Sequence, residues 1–571
     1  MMLKRTGTVL FLSVLTLLSG LGVIHRCASE APPPGGPKDV DPPAVVQVYP
    51  EPGAVNIPTD VEIQFEFDEY VNRRSVEPAI FISPYLEGGY EVEPSRRSVS
   101  VNFTNPLEDS TTYIVTLGTG IADLRGNKLA SSYQLAFSTG DSIDQGEISG
   151  QVYPGELQQK KDISVLAYLR DGSVPDSLLI RRPDYISNPD AEGRFTFSNM
   201  QTGRYFFLAL IDQNGNYIYD PGEWTGLPFK SDWNVTRKNE TGLLKMRMFQ
   251  YPAGSLVLMK VEQEHRHRLR AGLNRPPVQE VSDRNFRFVT EAGDTLHPVA
   301  VTETGNPAEF TIEHYQTVPD SQYLFMVGEL TDRFGLPFGR NRDRRDVTIT
   351  TEPDTFSFRY PEISIPDSMP EVKQSQELRI SFSRAVRTIP ADSVLRLDSL
   401  AADTASVFWR DPATLVASPD SLWPANQWIS WVLIDSLIRD HRDSTYSDSL
   451  SSLAFQAESG ARYGSITGTV SAPEHWTREL IRIRAETGQR GDTRIPETTL
   501  SSDGEYQLER LIPGQYQLEA YYDRDTSGTY SYGRPVPFVP SENFLIFQDS
   551  IEVRSRWEQS GINLQFPDTD E

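Results

Sequence analysis

One sequence frame occurs twice in this 571-residue chain, and the two copies keep the same register. In each copy, a segment of alternating polar and apolar residues begins with a glycine. It is followed by a second glycine, a tyrosine and a run that ends in aspartate. Matching positions lie 311 residues apart, as in the pairs Gly193 and Gly504, Tyr205 and Tyr516, and Asp212 and Asp523. Such a repeat indicates a chain assembled from repeated structural units. Each copy predicts strand, turn and strand, because glycine permits a tight reversal and tyrosine supplies a large buried face.

Short alternating runs of apolar and polar residues fill much of the remaining chain. Clear examples are Val61–Phe67, Ser98–Phe103 and Tyr113–Leu117, and turn-forming residues separate them. The 39 glycines and 41 prolines are spread along the chain instead of being concentrated in one tract. This pattern predicts an all-β fold of sandwiches. The length predicts several domains, since one domain usually has about 100–200 residues.

Fainter repeats lie between the two copies. Leu378–Val386 aligns with Ile63–Val71 at a constant offset of 315 residues. Ser321–Gly328, followed by Asp332, similarly matches Thr112–Gly118 followed by Asp123. These matches predict two further sandwich modules. A helix is also predicted around Trp428 to Arg439, where the large apolar residues fall near helical spacing.

The N-terminus has the pattern of an export signal. Lys4 and Arg5 precede an apolar stretch from Thr8 to Ile24, which predicts a secretory signal peptide over residues 1–26. A membrane anchor is the alternative, but the two glycines in the stretch, Gly20 and Gly22, and the proline-rich residues after it favour cleavage. The predicted tether, residues 27–43, is rich in Pro and Gly and should be extended. It begins at the single cysteine of the chain, Cys27.

Two family resemblances follow from these motifs. Gly35–Asp39, Tyr49–Ala54, Phe65–Val71, Thr112–Gly118 and Asp123–Asn127 together resemble the S-layer-associated kind of bacterial Ig-like domain that begins many Bacteroidetes surface lipoproteins. The 311-residue repeat resembles transthyretin-like, or carboxypeptidase-regulatory-like, sandwiches, which are close to the B-type repeats of adhesins. Cys27 lies just past the apolar stretch, which resembles a bacterial lipoprotein signal and implies a lipid on Cys27 and an outer-membrane or cell-surface location. His25 and Arg26 depart from the lipoprotein pattern, and cleavage after Ser29 or Ala31, giving a periplasmic or secreted protein, stays open.

The predicted fold class is therefore all-β, with tandem Ig-like and transthyretin-like β-sandwiches behind a signal peptide and tether. The predicted domains are Ig-like at 44–140, transthyretin-like at 146–249, degenerate Ig-like at 250–352 and 353–458, and transthyretin-like at 464–567.

The best candidate for a metal site follows the first copy of the repeat. Counted from Asp212, side-chain oxygens stand at positions 1, 3, 5, 9 and 12 and a main-chain carbonyl at position 7, a spacing typical of calcium loops. The candidate ligands are Asp212, Asn214, Asn216, Ile218, Asp220 and Glu223. A polar β-turn is the alternative, since Asn, Asp and Gly tolerate unusual backbone angles. The second copy has Arg534 at position 12 and is expected to bind weakly or not at all.

No catalytic motif is evident in the sequence, and we predict that the protein is not an enzyme. The net charge of −25 argues against nucleic acid as a partner, because the phosphate backbone would repel it. Four tryptophans, Trp409, Trp423, Trp428 and Trp431, predict either core packing or a glycan platform, and His265 with His267 predicts an exposed basic face. The expected function is a non-catalytic cell-surface protein with a structural, adhesive or spacer role, stabilised by calcium. Its partner would be a surface protein or glycan, and a lipid anchor would be its contact with the membrane. The alternative is a carbohydrate- or peptide-binding lipoprotein that assists an uptake or secretion system.

Overall fold

A computed structural model describes residues 39–567 apart from 87, 158–162, 171, 238–243, 318, 352, 354–357, 359–361, 399–403, 447–451, 460–462 and 488–495. The predicted signal peptide and Cys27 lie outside the described residues. Strands dominate the regular structure, and the α-helices of the described part are three single turns, α1 (Arg73–Val76), α2 (Pro175–Leu178) and α3 (Ala391–Val394). The predicted all-β class is confirmed. We call five groups of strands modules A to E; the domain boundaries given above remain predictions.

Module A, residues 45–138, has seven strands: β1 (Val45–Tyr49), β2 (Ile63–Phe67), β3 (Ile80–Ser83), β4 (Tyr90–Pro94), β5 (Ser98–Phe103), β6 (Thr112–Leu117) and β7 (Tyr133–Ser138). They form two antiparallel sheets in the orders β1-β2-β5-β4 and β3-β6-β7, the arrangement of an Ig-like sandwich. In β2 every second side chain is buried, beginning with Ile63. The alternation seen in the sequence is therefore the inward and outward alternation of this sheet.

Modules C and D, residues 258–349 and 362–457, are sandwiches of two four-stranded sheets each. In module C the sheets are β16-β17-β21-β20 and β19-β18-β22-β23, with β16 (Leu258–His265), β17 (Arg268–Leu273), β18 (Phe286–Val289), β19 (Thr295–Leu296), β20 (Ala300–Glu303), β21 (Glu309–Glu313), β22 (Ser321–Val327) and β23 (Arg344–Ile349). In module D they are β24-β26-β29-β28 and β25-β31-β30-β27, with β24 (Glu362–Ile363), β25 (Met369–Val372), β26 (Leu378–Ser381), β27 (Leu395–Leu397), β28 (Ala405–Asp411), β29 (Thr414–Pro419), β30 (Trp428–Leu433) and β31 (Ser452–Ala457).

The helix predicted around Trp428 to Arg439 is wrong. Trp428–Leu433 is strand β30, and a 3-10 turn follows at Asp435–Leu437. Ile429, Trp431 and Leu433 are buried, so the apolar side chains in contact with the core recur with the period of two that a strand requires. Trp428 and Val432 are exposed. Because they are large and apolar, the sequence shows a helical spacing, although they do not pack in the core.

A buried aspartate recurs at one corner of modules A, C and D. Asp123, Asp332 and Asp440 are 1%, 2% and 0% exposed. In each case Oδ1 accepts the backbone N–H groups of the residues two and four positions later, at 2.8–2.9 Å. The sequence match between Asp123 and Asp332 therefore reflects the same turn, and module D contains it as well.

Modules B and E, residues 146–250 and 464–565, contain the two copies of the 311-residue repeat. The strands of module B are β8 (Gly146–Tyr153), β9 (Ser164–Leu169), β10 (Tyr185–Ser187), β11 (Arg194–Met200), β12 (Gly203–Ile211), β13 (Trp224–Leu227), β14 (Trp233–Val235) and β15 (Leu244–Gln250). Those of module E are β32 (Gly464–Ser471), β33 (Ile481–Thr487), β34 (Glu497–Thr499), β35 (Glu505–Leu511), β36 (Gly514–Tyr522), β37 (Phe544–Ile546), β38 (Ile551–Val553), β39 (Glu558–Gln559) and β40 (Leu564–Gln565).

Strand pairing confirms that the two copies share one arrangement. β12 pairs with β9, β13 and β14, and β36 pairs in the same way with β33, β37 and β38. Ala209 on β12 lies opposite Val165, and Ala520 on β36 lies opposite Ile483. Each module also has a parallel pair, β15 with β8 and β40 with β32.

The modules are packed against one another, and module B is at the centre. Both faces of β12 are buried from Tyr205 to Ile211. Its outer face belongs to an apolar cluster that also contains Phe81 of module A, Phe334 of module C and Phe538 of module E. Module B therefore contacts three other modules, although modules C and D separate it from module E along the chain.

Candidate metal centres

The predicted calcium loop connects β12 to β13 and is held by its own hydrogen bonds. The Asp212 carboxylate accepts the backbone N–H groups of Asn214, Gly215 and Tyr217 at 3.2, 2.8 and 2.7 Å. The buried Glu223 carboxylate accepts those of Gln213 and Asp220 at 2.9 and 3.0 Å. Gly215 has a φ of +77°, a backbone angle that glycine adopts at little cost.

The remaining predicted ligands also take part in these bonds. Asn214 Oδ1 accepts from Asn216 N–H at 3.0 Å, and Asn216 Oδ1 accepts from Ile218 N–H at 2.6 Å. The side-chain amides of both asparagines donate to Asp220 Oδ2, at 2.7 and 3.1 Å. All six predicted residues thus lie in one loop, where the two amides hydrogen-bond the Asp220 carboxylate. Whether the loop binds calcium remains a prediction.

The matching loop of module E, between β36 and β37, repeats several of these bonds. Gly528 N–H donates to Asp523 Oδ2 at 3.0 Å, as Tyr217 does to Asp212. Ser527 N–H donates to Asp525 Oδ1 at 3.0 Å, as Asn216 does to Asn214. The two loops therefore share part of their backbone framework, but the bonds that Asp212 Oδ1 accepts from Asn214 and Gly215 have no counterpart at Asp523 Oδ1.

Glu542 takes the place of Glu223 in this second loop. Its carboxylate accepts the N–H groups of Arg524 and Ser531 at 2.7 and 2.9 Å, and these residues lie 311 positions after Gln213 and Asp220. Glu542 itself lies 319 positions after Glu223, because the second loop has eight additional residues. Counting positions from Asp523 therefore leads to Arg534 and misses Glu542. The expectation that this copy binds calcium weakly or not at all rested on Arg534 and loses its basis.

The carboxylates of the second loop lie close together. Asp523, Asp525 and Glu542 each place one oxygen within 4.8 Å of the others, an arrangement that Asp212, Asp220 and Glu223 do not show. Asp523 is 0% exposed. Its Oδ2 accepts from Arg482 Nε at 2.7 Å in addition to Gly528, whereas no hydrogen-bond donor in the described part of the chain reaches Oδ1.

Burial and the neighbouring charges affect the acidity of this group. Burial, together with repulsion from Asp525, raises the pKa of Glu542 to about 7, although the N–H group of Ser531 opposes the shift. Burial would also raise the pKa of Asp525, but hydrogen bonds from Ser531 and Ser527 hold it below its usual value. Two neighbouring carboxylates therefore differ in their affinity for a proton.

A second acidic group lies in module A, where Asp39, Glu69 and Asp123 also place oxygens within 4.8 Å of one another. Burial and repulsion from Asp123 raise the pKa of Glu69. Both oxygens of Asp123 already accept hydrogen bonds from its turn. The turn therefore accounts for the position of the Asp123 carboxylate.

The tryptophans of module D do not form a platform. Trp423 and Trp431 are 0% and 1% exposed and pack edge to face at 6.0 Å, and the Trp409 indole N–H donates to the Ile389 carbonyl at 2.9 Å. Trp428 is exposed, and it lies in the sheet opposite to that of Trp409. Core packing therefore accounts for most of this cluster.

The interpretation of His265 and His267 as an exposed basic face is wrong for His265, which is 5% exposed. The His267 ring contacts Tyr315, with centroids 4.9 Å apart, and its Nδ1 lies 3.1 Å from the His314 carbonyl oxygen. Both residues belong to the packed end of module C.

Comparison with known proteins identifies one part of the chain. Residues 39–139 match the bacterial Ig-like domain family. The match covers module A, where the sequence motifs had indicated such a domain. No curated protein matches the chain, and among the described residues no helix is long and apolar enough to cross a membrane.

Solved structures with similarity to the chain are distant. They include an L,D-transpeptidase from Mycobacterium smegmatis (13% identity, 26% of this chain and 74% of that chain, TM-score 0.15). The surface layer protein SbsC, domains 1–6, has 11% identity over 89% of this chain and 67% of that chain, with a TM-score of 0.15. A tetra-tandem repeat from the extending region of a large adhesion protein has 12% identity over 72% of this chain and 99% of that chain, with a TM-score of 0.15. No function is transferred from proteins this distant.

Proposed function

We propose that this protein is a non-catalytic, exported protein of the bacterial cell surface with a structural or adhesive role. The observation that carries the proposal is the bacterial Ig-like match at residues 39–139 in a chain whose other described modules are also built from β-sheets. A fold of this kind hosts many activities, so the role must be tested directly.

The packing of the modules favours a compact unit over an extended spacer. Module E returns to module B, where Arg247 and Glu519 form an ion pair of 2.9 Å with side chains 6% and 9% exposed. A chain that served only to extend a distance would not need such a contact between distant modules. A surface protein or glycan remains the proposed partner; the burial of Trp423 and Trp431 gives no support to a glycan site at that cluster.

Surface location and anchoring can be tested together in cells that produce the protein. Intact cells would be treated with a protease, and membrane and soluble fractions would be compared for the wild type and Cys27→Ala. We expect the wild type to be accessible to the protease and retained in the membrane fraction, and the Cys27→Ala protein to be released. Retention of a variant whose signal peptide has been cleaved would exclude the lipid anchor, and a protected wild-type protein would contradict the surface location.

Calcium binding by the loop of module B is part of this proposal. The ligand spacing from Asp212 to Glu223 and the hydrogen-bonded framework support it, and a bound ion would stabilise the folded state. Thermal unfolding with and without calcium would be compared for the wild type and for Asp212→Ala with Glu223→Ala. We expect calcium to raise the melting temperature of the wild type more than that of the double variant. Equal calcium responses would identify the loop as a polar turn.

A further inference from the structure

The second loop is also one of the segments of module E that contact module B. Its residues include Tyr530, Tyr532, Phe538 and Ser541. Phe538 contacts Phe206 with ring centroids 5.0 Å apart, and its N–H donates to Asp176 at 2.6 Å. The Ser541 hydroxyl donates to the Leu227 carbonyl at 2.9 Å. We call residues 523–542 the docking loop.

The docking residues alternate along the chain with the acidic residues and their partners. Tyr530 and Tyr532, which contact Arg247 and Phe249 of module B at 4.4 and 5.3 Å, flank Ser531. Ser531 donates its N–H to Glu542 and its hydroxyl to Asp525. Glu542 directly follows the docking residue Ser541. A change in the positions of the carboxylates would therefore move the surface that meets module B.

We propose that Asp523, Asp525 and Glu542 bind a divalent cation of the hard, oxygen-preferring class, with Ca²⁺ as the first candidate. We further infer that this ion fixes the docking loop on module B. Two independent observations carry the site: three carboxylate oxygens converge within 4.8 Å, and one of them belongs to the fully buried Asp523, whose Oδ1 has no donor among the described residues.

The chemistry of these groups fits such an ion. An ionised carboxylate has about four lone-pair sites, so the bonds that Asp525 and Glu542 accept from the loop leave room for coordination and also hold the side chains in place. A buried anionic oxygen without a partner is costly. Arg482 reaches Asp523 through Oδ2 and leaves the charge of the other two carboxylates to be offset by another cation.

A proton shared among the carboxylates is the competing explanation, since crowding of this kind also favours a protonated acid. A proton and a divalent ion are distinguished by their response to a chelator. Only the ion would be removed by a chelator and restored by added calcium at constant pH.

The site would be tested by isothermal titration of the full chain, first treated with EGTA and dialysed, with CaCl₂ and separately with MgCl₂ at pH 7.5. The variants are Asp525→Asn and Glu542→Gln, each of which removes the charge of one carboxylate and keeps the size of the side chain. Asp525 is exposed, so its substitution should leave the fold intact. We expect each variant to lose one calcium site or to bind it about tenfold more weakly, while Asp212→Ala with Glu223→Ala retains that site.

The results separate this site from the one proposed in module B. Calcium binding that is lost only in the Asp212→Ala, Glu223→Ala protein, or an absence of calcium binding in the wild type, would overturn the proposal for module E. Loss only in Asp525→Asn and Glu542→Gln would support it and would leave the module B loop as a turn.

Docking would be measured by hydrogen–deuterium exchange of the same full chain. Calcium should slow exchange in the docking loop and in β13 and β15 of module B, which the loop contacts through Leu227, Arg247 and Phe249, and Asp525→Asn should abolish both effects. Slower exchange in the docking loop without any change in module B would show that the ion orders the loop alone, and the inference about docking would be wrong.

Discussion

At the scale of single residues, the corner aspartates of modules A, C and D have similar bonds but different charged neighbours. The Asp440 carboxylate also pairs with Arg384 at 2.8 Å, and the two side chains are 0% and 7% exposed. Asp123 has Asn127 as its side-chain partner, at 2.9 Å. The same turn therefore carries a buried ion pair in module D and a neutral contact in module A.

Replacing Asp440 should consequently cost more stability than replacing Asp123. Asp123→Ala removes the acceptor of the N–H groups of Arg125 and Asn127 and should cost about 1–3 kcal/mol. Asp440→Ala also takes the carboxylate from a buried guanidinium, and the expected cost is about 3–5 kcal/mol. Urea unfolding of the full chain, followed by tryptophan fluorescence, would measure the difference. Equal losses would show that the ion pair adds nothing to the turn.

His314 makes the stability of module C sensitive to acid. It is 1% exposed, and its Nδ1 lies 2.7 Å from Thr317 Oγ1. Burial, with smaller contributions from His267 and His265, lowers its pKa to about 3. The unfolded chain, with a histidine pKa of about 6.5, then binds a proton that the folded chain does not.

Stability should therefore be complete above about pH 6.5 and decline toward pH 3, with a slope from this residue of up to about 1.4 kcal/mol per pH unit. Unfolding free energies measured between pH 7.5 and 5 would test this expectation. His314→Phe should flatten the decline, since Phe288 already contacts this ring with centroids 5.0 Å apart. The exposed His475→Phe is the matched control, and an unchanged slope in His314→Phe would assign the decline to other groups.

At the scale of elements, the parallel strand of each repeat requires a glycine on its neighbour. A Cβ atom at Gly150 of β8 would collide with the Leu244 carbonyl oxygen, and one at Gly468 of β32 with that of Ile562. These glycines occupy matching places, opposite Phe195 and Tyr506. The close approach of the last strand is thus built into both copies.

Gly150→Ala should weaken module B, because a backbone collision is relieved only by moving a strand. We expect a loss of about 2 kcal/mol or more, seen as a lower melting temperature in calorimetry. Gly254→Ala is the control, since a Cβ there meets nothing within 4 Å. If both variants melt at the same temperature, the strands are less closely packed than their backbone indicates.

The sequence predicts elements well where one sheet face is buried. The segments chosen for their alternation contain β2, β5 and most of β6, and the 311-residue repeat predicts the register of β12 and β36. Prediction from the sequence fails at β30, where exposed apolar residues obscure the period of two that a strand shows. It also fails at Glu542, because eight additional residues separate it from the counted position while the folded loop returns it to the same N–H groups.

At the scale of the whole molecule, contacts between modules could not be predicted from periodicity. Leu208 of β12 and Glu519 of β36 occupy the same place in the repeat, yet Leu208 lies in the central apolar cluster and Glu519 pairs with Arg247 of module B. The residue at each of these positions depends on the surface that lies opposite it in the folded molecule, and that surface is distant in the sequence. The outer faces of the repeats have diverged to serve different contacts.

The Arg247–Glu519 pair should hold module E on module B. Arg247 also lies over the rings of Tyr530 and Phe544, at 4.4 and 4.2 Å, and Glu519 pairs with Arg484 as well. Arg247→Ala would leave a buried carboxylate with one partner fewer, at an expected cost of about 3–5 kcal/mol. We expect faster hydrogen exchange at the contact and a larger radius of gyration by small-angle X-ray scattering.

Arg333→Ala is the comparison, because Arg333 joins module C to module B through Glu156 at 2.6 Å but with side chains 56% and 27% exposed. An ion pair so accessible to water contributes about 0–1 kcal/mol, and its loss should leave the radius of gyration unchanged. If Arg333→Ala expanded the molecule as much as Arg247→Ala, the arrangement would depend on surface charge. If neither did, the apolar contacts of Phe206, Phe249 and Phe538 alone would hold module E in place.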